Sequence, residues 1–198
     1  MRIVIANAKG GVGKTTTAMM LALACQLRGY HARVLDADPQ ASASLWMSVA
    51  QEQGRDLGFA VLPANLVTLK EATSPNVWEF VDCPPSGRAF DQAVDQADFV
   101  LIPSSESPTD LQQSWATLEV LPKSIPAALL LCCCERKTRA FRNASEALDT
   151  LHTPRFDTVI DKRQDLKSVF GTVPSHLCGY ADVFSELFTV IHSFTSVE

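Results

Sequence analysis

The chain has 198 residues and a formal net charge of −5 at pH 7, with 46% hydrophobic and 20% charged residues. A chain of this length is expected to form one domain with a sizeable core. The acidic balance argues against a dedicated nucleic-acid-binding protein, because such proteins carry surplus lysine and arginine. No apolar run approaches the roughly 18 residues that a membrane-spanning helix needs. The six cysteines lack the spacing of a zinc site, which favours buried, reduced thiols in a cytoplasmic protein.

Short apolar runs alternate with amphipathic stretches along the whole chain. The predicted strands cover residues 2–6, 32–36, 59–62, 77–82, 99–102, 127–133 and 156–160. The predicted helices cover residues 14–28, 41–53, 88–97, 109–121, 139–151, 165–170 and 181–194. The chain thus opens with a βαβ unit, which implies parallel strands and a right-handed crossover. The pattern predicts an α/β fold, in which a mostly parallel, twisted sheet is flanked by helices on both faces.

A glycine-rich loop joins the first predicted strand to the first predicted helix, where a phosphate-binding loop has to lie. Glycines allow backbone N–H groups to close around phosphate oxygens, the helix N-terminus adds a favourable dipole, and Lys14 adds a positive charge. Thr15 offers the hydroxyl that such loops place on Mg²⁺, and Thr16 can reach the α-phosphate side. The candidate nucleotide-binding residues of the loop are Lys9, Gly10, Gly11, Val12, Gly13, Lys14, Thr15 and Thr16.

The segment from Asn7 to Thr16 resembles the deviant Walker A motif of the ParA/MinD family of ATPases. The usual motif has glycine where this chain has Ala8, and the deviant form adds an early lysine, here Lys9. The resemblance implies a P-loop NTPase fold, ATP and Mg²⁺ as cofactors, and a homodimer in the ATP state. In that family the early lysine reaches across the dimer interface to the partner's nucleotide, which makes Lys9 a candidate catalytic residue.

Two acidic motifs follow predicted strands, where they could serve hydrolysis of a γ-phosphate, a reaction that needs a held metal and an aimed water. Residues 36–40 are similar to the family's switch I segment, and the resemblance assigns the orientation of the attacking water to Asp38. Residues 81–85 resemble the Walker B and switch II segment, in which Asp82 would bind Mg²⁺ through water. Taken singly, either aspartate is also explained as the cap of a helix or turn. The candidate catalytic residues are Lys9 and Asp38, and the candidate metal residues are Thr15, Asp38 and Asp82.

The loop 103–110 looks like the family's Pro-Ser-Pro-x-Asp region, which lies over the nucleotide and the dimer surface. This similarity makes Pro108 a candidate nucleotide-binding residue, while a helix cap formed by Thr109 or Asp110 explains the loop equally well. Relatives often carry Asn-Arg after the next strand, and the asparagine helps to read adenine, but residues 132–134 of this chain are cysteines. Successive strand residues point to opposite faces, so these thiols cannot share one metal and are expected to pack in the interior.

The chain begins directly at its first strand, which leaves no room for the N-terminal helix-turn-helix extension of ParA proteins that repress their own operon. It resembles the short, plasmid-type, ParF-like partition ATPases over nearly its whole length, and residues 1–198 are predicted to form one P-loop ATPase domain. MinD-like members end in a basic helix that lies on lipid, but residues 180–198 contain no lysine or arginine. We therefore expect no membrane contact. The apolar residues of this helix are predicted to pack in the core: Phe184, Leu187, Phe188 and Ile191.

Charge is distributed unevenly along the chain. Residues 132–170 carry a net charge of about +2, whereas the rest of the chain carries about −7. The partition branch of the family implies nonspecific DNA binding, and a basic segment suits phosphate contacts. A solvated charged face is the alternative explanation. The candidate DNA-binding residues are Arg136, Lys137, Arg139, Arg142, Arg163 and Lys167.

Together these features predict a Mg-ATP-dependent, dimerising ATPase for plasmid or chromosome segregation. Its ATP state would bind DNA nonspecifically and associate with the nucleoid, and a centromere-binding, ParB-like adaptor would stimulate slow hydrolysis. Two alternatives stay open. The first is a family member that positions a protein cargo, and the second is a P-loop ligase similar to dethiobiotin synthetase, which would transfer phosphate to a small acid.

Overall fold

The structure is a computed structural model that describes residues 1–195, with side chains described up to residue 193. The six strands are β1 Arg2–Ile5, β2 His31–Asp36, β3 Ala60–Pro63, β4 Val77–Asp82, β5 Phe99–Ser104 and β6 Ala127–Leu131. The helices are α1 Lys14–Leu27, α2 Ser42–Glu52, α3 Arg88–Asp95, α4 Pro108–Val120, α5 Arg139–Thr150, α6 Gln164–Lys167 and α7 Tyr180–Thr195, with a 3-10 turn at Thr68–Lys70. This arrangement confirms the predicted α/β fold.

All strand pairs are parallel, and the order across the sheet is β3-β2-β4-β1-β5-β6. The register aligns Asp82, the last residue of β4, with Ile5 at the end of β1 and with Asp36 at the end of β2. The loops that follow these strands therefore leave the sheet at one edge. Strands are added on both sides of β1, with β4 on one side and β5 on the other. In such a sheet a crevice forms at the carboxyl ends of the strands where the strand order changes direction.

Alternate residues of the strands supply two hydrophobic clusters on opposite faces of the sheet. Ile3 and Ile5 pack with α1, α2 and α7, whereas Val4 and Ala6 pack with α3, α4 and α5. Strands buried on both faces must be apolar almost throughout, and β1, with burial of all its residues, follows this rule.

The long C-terminal helix α7 packs against α1 in the first of these clusters. Phe184, Leu187 and Ile191 are buried, and Phe188 is partly buried against aromatic neighbours such as Trp78. The predicted core role of this helix is therefore confirmed. No helix among residues 1–195 is both long and apolar enough to cross a membrane.

The predicted seventh strand, residues 156–160, is wrong. This segment runs beside β6, but the only bridges among the described residues are isolated ones at its two flanks, Arg155 and Asp161. The carboxylate of Glu186 on α7 accepts hydrogen bonds from the backbone N–H groups of Asp157 and Thr158, both at 2.8 Å. These N–H groups are thereby withdrawn from sheet pairing, because each can make only one strong bond.

A buried ion-pair network in the amino-terminal halves of β1, β2 and β4 was not predicted. Arg2 on β1 and Glu79 on β4 are both almost fully buried, and Arg2 Nε donates to Glu79 Oε2 at 2.8 Å. Arg33 on β2 donates to the other carboxylate oxygen at 2.7 Å. Burial alone would raise the pKa of Glu79, but the hydrogen bonds and charges of the two arginines hold this pKa below its usual value. Three strands are thus tied together by one paired carboxylate.

Candidate nucleotide-binding site

The loop between β1 and α1 is shaped by glycines in left-handed backbone conformations. Gly11 and Gly13 have φ angles of 80° and 92°, which L side chains rarely adopt. Gly13 immediately precedes α1, and its carbonyl accepts the N–H of Thr17 at 2.8 Å. No side chain caps the N-terminus of this helix. Its first N–H groups are therefore free to bind an anion.

Lys14 begins α1 and is almost entirely buried. Its Nζ donates to the carbonyl oxygen of Lys9 at 3.1 Å, so the ammonium group is held against the loop. An ammonium group has three donors, and the remaining ones can reach a bound phosphate. The geometry thus fits the role predicted for Lys14.

A cleft of about 650 Å³ opens over this loop. Its walls include Asp38 after β2 and the two prolines, Pro84 and Pro85, after β4. The predicted nucleotide-binding residues that line the cleft are Gly10, Gly11, Gly13, Lys14, Thr15 and Thr16. Val12 is buried instead, and Lys9 is paired with Asp110 on α4.

Thr15 and Asp82 are in direct contact at the floor of the site. The Thr15 hydroxyl donates to Asp82 Oδ2 at 2.6 Å, while the buried Oδ1 atom of Asp82 has no hydrogen-bond partner among the described residues. Burial, and to a smaller extent the negative charges of Asp36 and Asp38, raise the pKa of Asp82 to about 7. A bound cation would reduce the repulsion among these carboxylates and would give the Oδ1 atom of Asp82 a partner.

Hydroxyl and carboxylate oxygens are the ligands that Mg²⁺ prefers, alongside water and phosphate oxygens. Thr15 and Asp82 therefore fit a bound Mg²⁺ ion. Within residues 1–195, no group of three or more histidine, cysteine, aspartate or glutamate side chains is arranged around a common metal position. The donors that the protein itself contributes to the ion are thus a hydroxyl and carboxylates, not a closed cage.

The two aspartates after β2 have different surroundings. Asp36 is buried, and its Oδ2 atom accepts both the N–H and the hydroxyl of Ser44, each at 2.7 Å, which anchors the first turn of α2. Asp38 lies in the wall of the cleft, and its Oδ1 atom accepts the N–H of Gln40 at 2.9 Å. The helix-anchoring role therefore belongs to Asp36, and Asp38 is placed where it can face a phosphate.

Lys9 forms an ion pair with Asp110 on α4 within the same chain. The other oxygen of Asp110 accepts the hydroxyl of Ser105 at 2.7 Å. Burial would raise the pKa of Asp110, but hydrogen bonds from Lys9 and the two serines Ser105 and Ser107 hold it below the usual value. The sequence suggested Thr109 or Asp110 as the cap of α4, but the cap is Ser107, whose hydroxyl accepts the N–H of Asp110 at 3.2 Å.

A second cavity of about 470 Å³ adjoins the phosphate cleft, and Gly13 and Thr16 line both. Pro108, predicted to bind nucleotide, lies in its wall. Cys132 is buried and also lines it, and burial raises the pKa of that thiol to about 12. Cys133 has a φ of 57° and is exposed, so the predicted interior packing is wrong for this cysteine, which turns the chain out of β6.

Two aromatic residues of the phosphate cleft were missed by the sequence analysis. Trp46 on α2 and Phe170 line the cleft, with ring centroids 5.5 Å apart. Helix α6 ends at Lys167, so Phe170 follows the helix instead of closing it, as the predicted span 165–170 implied. The local sequence signal for the end of the helix was Gly171, because glycine is common just after the last helical residue. The contact with α2 is tertiary and has no sequence pattern.

The predicted DNA-binding residues are all exposed but fall into two groups. Arg163 and Lys167 line the second cavity beside the nucleotide loop. Arg139 and Arg142 lie on α5, one turn apart, with Lys137 just before the helix. Arg136 is paired with Asp161 at 2.6 Å, and Arg163 with Asp165 at 2.9 Å. Among the described residues, the other members form no ion pair: Lys137, Arg139, Arg142 and Lys167.

The parallel sheet, the glycine loop before α1 and the aspartates at the sheet edge define a P-loop nucleotide-binding domain. Residues 3–191 match the model of the CobQ/CobB/MinD/ParA nucleotide binding domain. The chain belongs to this family. The family assignment that the sequence motifs suggested is thus confirmed.

Individual proteins resemble the chain over most of its length. The chain is 30% identical over 176 residues to the "Maintenance of carboxysome distribution protein A" of Halothiobacillus neapolitanus, covering 81% of this chain and 79% of that protein. The protein of the same name from Gloeobacter kilaueensis is 34% identical over 166 residues, covering 80% and 75% of the two chains. A crystal structure of a putative plasmid partition protein from Borrelia burgdorferi, bound to AMPPNP, superposes with a TM-score of 0.69 at 19% identity, covering 96% and 98%. The last likeness shows a shared fold.

Proposed function

We propose that the protein is a Mg-ATP-dependent ATPase whose ATP state is a homodimer that positions a large cargo. The observation that carries the proposal is the pair of lysines in one loop. Lys14 is buried against the loop and suits the chain's own nucleotide, whereas Lys9 is turned away to Asp110 and is 40% exposed. A second lysine of this kind is available to a nucleotide held by another subunit.

Each group of the cleft has a chemical task in this proposal. The N–H groups of the loop and Lys14 hold the phosphates, and Thr15 and Asp82 hold Mg²⁺, which when bound neutralises phosphate charge. Asp38 accepts a hydrogen bond from the attacking water and orients it toward the γ-phosphate. Lys9 of the second subunit adds positive charge at the phosphates, so hydrolysis depends on pairing.

Dimerisation requires Lys9 to exchange its partner. In the monomer its ammonium group binds Asp110, and the same group cannot bind a phosphate at full strength while this ion pair persists. ATP supplies the phosphate charge that competes for Lys9, which links nucleotide state to assembly. Because the mechanism is a switch, the lifetime of the ATP state matters more than the turnover rate.

The first candidate for the cargo is DNA, which the protein would segregate. The exposed arginines of α5 and the positive charge of residues 132–170 support nonspecific DNA contacts, and pairing of two subunits would double them. In this case the adaptor is a centromere-binding, ParB-like protein that stimulates hydrolysis. The superposition on a putative plasmid partition protein is compatible with this candidate.

Positioning of a protein assembly is the second candidate. Two relatives at 30% and 34% identity carry the name of a carboxysome distribution protein. The nucleotide switch and the DNA contacts would be the same, and the adaptor would recognise a protein assembly instead of a centromere. The two candidates therefore differ in the partner and not in the nucleotide site.

Sedimentation velocity tests the switch. The purified chain is run with Mg²⁺ and ADP, ATP or a non-hydrolysable analogue, each with and without random-sequence DNA. We expect a monomer with ADP, a dimer with ATP or the analogue, and co-sedimentation with DNA only for the dimer. Behaviour that does not depend on nucleotide would contradict the proposal.

The cargo is tested by isolating the analogue-bound dimer from extracts of the native host and identifying its partners by mass spectrometry. A DNA-binding adaptor that brings a specific DNA site supports segregation. A component of a protein assembly supports the second candidate. Transfer of the γ-phosphate to a small acid, instead of to water, would support the ligase alternative and contradict both.

A further inference from the structure

The second cavity lies where the base of a bound nucleotide would extend from the phosphate cleft. This step rests on the proposed function, in which the loop before α1 holds the phosphates of a nucleoside triphosphate. Gly13 and Thr16 form a shared wall between the phosphate cleft and the second cavity. A nucleotide whose phosphates occupy the cleft can therefore extend its ribose and base over this wall.

The walls of this cavity suit a flat ring but do not read its hydrogen bonds. Apolar surface comes from Pro108, Cys132, Ala140 and Leu166. The phenol of Tyr180, which also lines the cavity, lies 3.1 Å from the hydroxyl of Thr17 and is already engaged there. Apolar walls of this kind bind the faces of a base without regard to its identity.

The polar rim contains an ion pair between two exposed side chains, beside the cations Arg163 and Lys167. Lys162 Nζ donates to Glu135 Oε1 at 2.5 Å, and both side chains are about half exposed. A second carboxylate, Glu106, accepts the backbone N–H of Glu135 at 3.2 Å and lines the same cavity. No asparagine or glutamine side chain lines the cavity among residues 1–195.

The two purines differ in the order of donor and acceptor on their exposed edge. Adenine offers an amino donor beside a ring-nitrogen acceptor, whereas guanine offers a carbonyl acceptor beside an N–H donor. A packed amide presents its own donor and acceptor in one fixed order and so prefers one purine. Glu135 and Lys162 come from separate segments and are not packed, so their acceptor and donor can take either order.

We infer that the Glu135–Lys162 ion pair reads the base edge, and that the site accepts both adenosine and guanosine triphosphate. Discrimination by a hydrogen-bonding site is large only where its polar groups would be left buried and unpaired by the wrong ligand. Here Glu135 and Lys162 form hydrogen bonds with each other and with water when the base offers them no matching partner. The energetic difference between the two nucleotides is therefore small.

Competition binding tests this inference on the full chain. Fluorescent mant-ATP is bound in the presence of Mg²⁺ and displaced by unlabelled ATP or GTP. We expect the dissociation constant of GTP to lie within about tenfold of that of ATP, a difference of about 1.4 kcal/mol. A GTP constant more than tenfold above the ATP constant would overturn the inference.

Lys162→Met tests the role of the pair itself. This variant leaves the carboxylates of Glu106 and Glu135, and a carboxylate can accept two N–H groups from guanine but only one amino group from adenine. We expect the ratio of the GTP and ATP constants to shift at least about threefold toward GTP. Lys123→Met is the matched control: Lys123 is exposed and lies outside the cavity, and the substitution removes the same charge.

If Lys162→Met acts only through charge, it will weaken the binding of both nucleotides equally. The ratio of the GTP and ATP dissociation constants would then stay unchanged, and this result would overturn the inference. If the chain binds mant-ATP but rejects GTP, this inference fails and the proposed function stands. If the chain binds no nucleoside triphosphate, both fail.

Discussion

Two lysines five residues apart in one loop have opposite environments. Lys14 opens a helix and is almost fully buried, while Lys9 extends to Asp110 on α4. An ion pair at this degree of exposure contributes only about 0.2–1 kcal/mol. The pair is thus strong enough to hold Lys9 in the monomer and weak enough for a phosphate to replace it.

Asp110→Asn should ease dimerisation, because Lys9 loses its charged partner in the monomer while the side chain keeps its size. Two such pairs are broken for each dimer, so we expect the dissociation constant of the ATP-bound dimer to fall by about twofold to thirtyfold. Sedimentation equilibrium with the non-hydrolysable analogue measures this constant. Asp95→Asn, which removes an exposed charge from α3, is the control and should leave it unchanged. An unchanged or weakened dimer in Asp110→Asn would contradict the account.

Much of this site could be predicted from the sequence because its signals are local. The glycines, Lys14 and Thr15 lie in one short loop, and Asp38 and Asp82 follow recognisable strands. The partner of Lys9 could not be predicted, since Asp110 comes close to the glycine-rich loop only when α4 packs beside β5. The same holds for Ser107, because Ser107, Thr109 and Asp110 are all plausible caps and only the backbone geometry selects one.

The segment after α6 is held firmly against α2 beside the phosphate cleft. Trp46 Nε1 donates to the carbonyl oxygen of Thr172 at 2.8 Å, and Phe170 packs on the Trp46 ring. Gly171 lies between them with a φ of 70°, and a Cβ there would overlap the side chain of Val49. Only glycine allows this approach.

Gly171→Ala should therefore destabilise the fold through both backbone strain and overlap with Val49. Gly54→Ala is a matched control, because Gly54 has a φ of 68° but open space around it. Both variants bear the left-handed backbone penalty of about 1–2 kcal/mol, and the overlap adds about 1–3 kcal/mol. In thermal unfolding, we expect Gly171→Ala to melt roughly 2–12 °C below Gly54→Ala.

The background variant Val49→Ala completes this test. Without the Val49 methyl groups only the Val49 Cβ, 2.9 Å from the added Cβ, remains too close. In this background the extra cost of Gly171→Ala over Gly54→Ala should therefore shrink but not vanish. Equal melting temperatures of the two single alanine variants would contradict the assigned contact.

The two elements that were predicted wrongly from the sequence are both determined by tertiary contacts. Residues 156–160 have strand-like composition, but Glu186, which is far away in the chain, takes two of their N–H groups. Helix α6 is shorter than predicted because the tertiary contact of Phe170 and Gly171 with α2 ends it early. Apolar periodicity predicted the central strands and long helices correctly, since burial of those elements depends on the sequence pattern itself.

The net charge of −5 conceals a segment of opposite sign. Residues 132–170 are about +2, and α5 presents Arg139 and Arg142 to solvent on one face. An acidic monomer would bind DNA weakly, whereas a dimer would present two such faces together. The acidic total and conditional DNA binding are therefore compatible.

Arg139→Ala combined with Arg142→Ala should weaken DNA binding by the ATP-bound dimer. Each lost phosphate contact lowers the slope of log affinity against log salt by about 0.9, and binding should weaken equally for all DNA sequences. Fluorescence anisotropy with random-sequence duplexes over a range of salt measures the slope. The control Arg55→Ala removes an exposed charge outside this segment. If this control has the same effect for each charge removed, α5 is not the DNA surface.

Lys9→Ala separates dimerisation of the chain from its nucleotide binding. Mass in solution is measured by light scattering with the non-hydrolysable analogue, alongside mant-ATP affinity and ATPase rate, for this variant and for the exposed-lysine control Lys70→Ala. We predict that Lys9→Ala binds nucleotide with an affinity within about threefold of that of the unaltered chain, stays monomeric and loses ATP hydrolysis, while Lys70→Ala dimerises normally. A Lys9→Ala protein that dimerises with ATP and hydrolyses it like the unaltered chain would contradict the account.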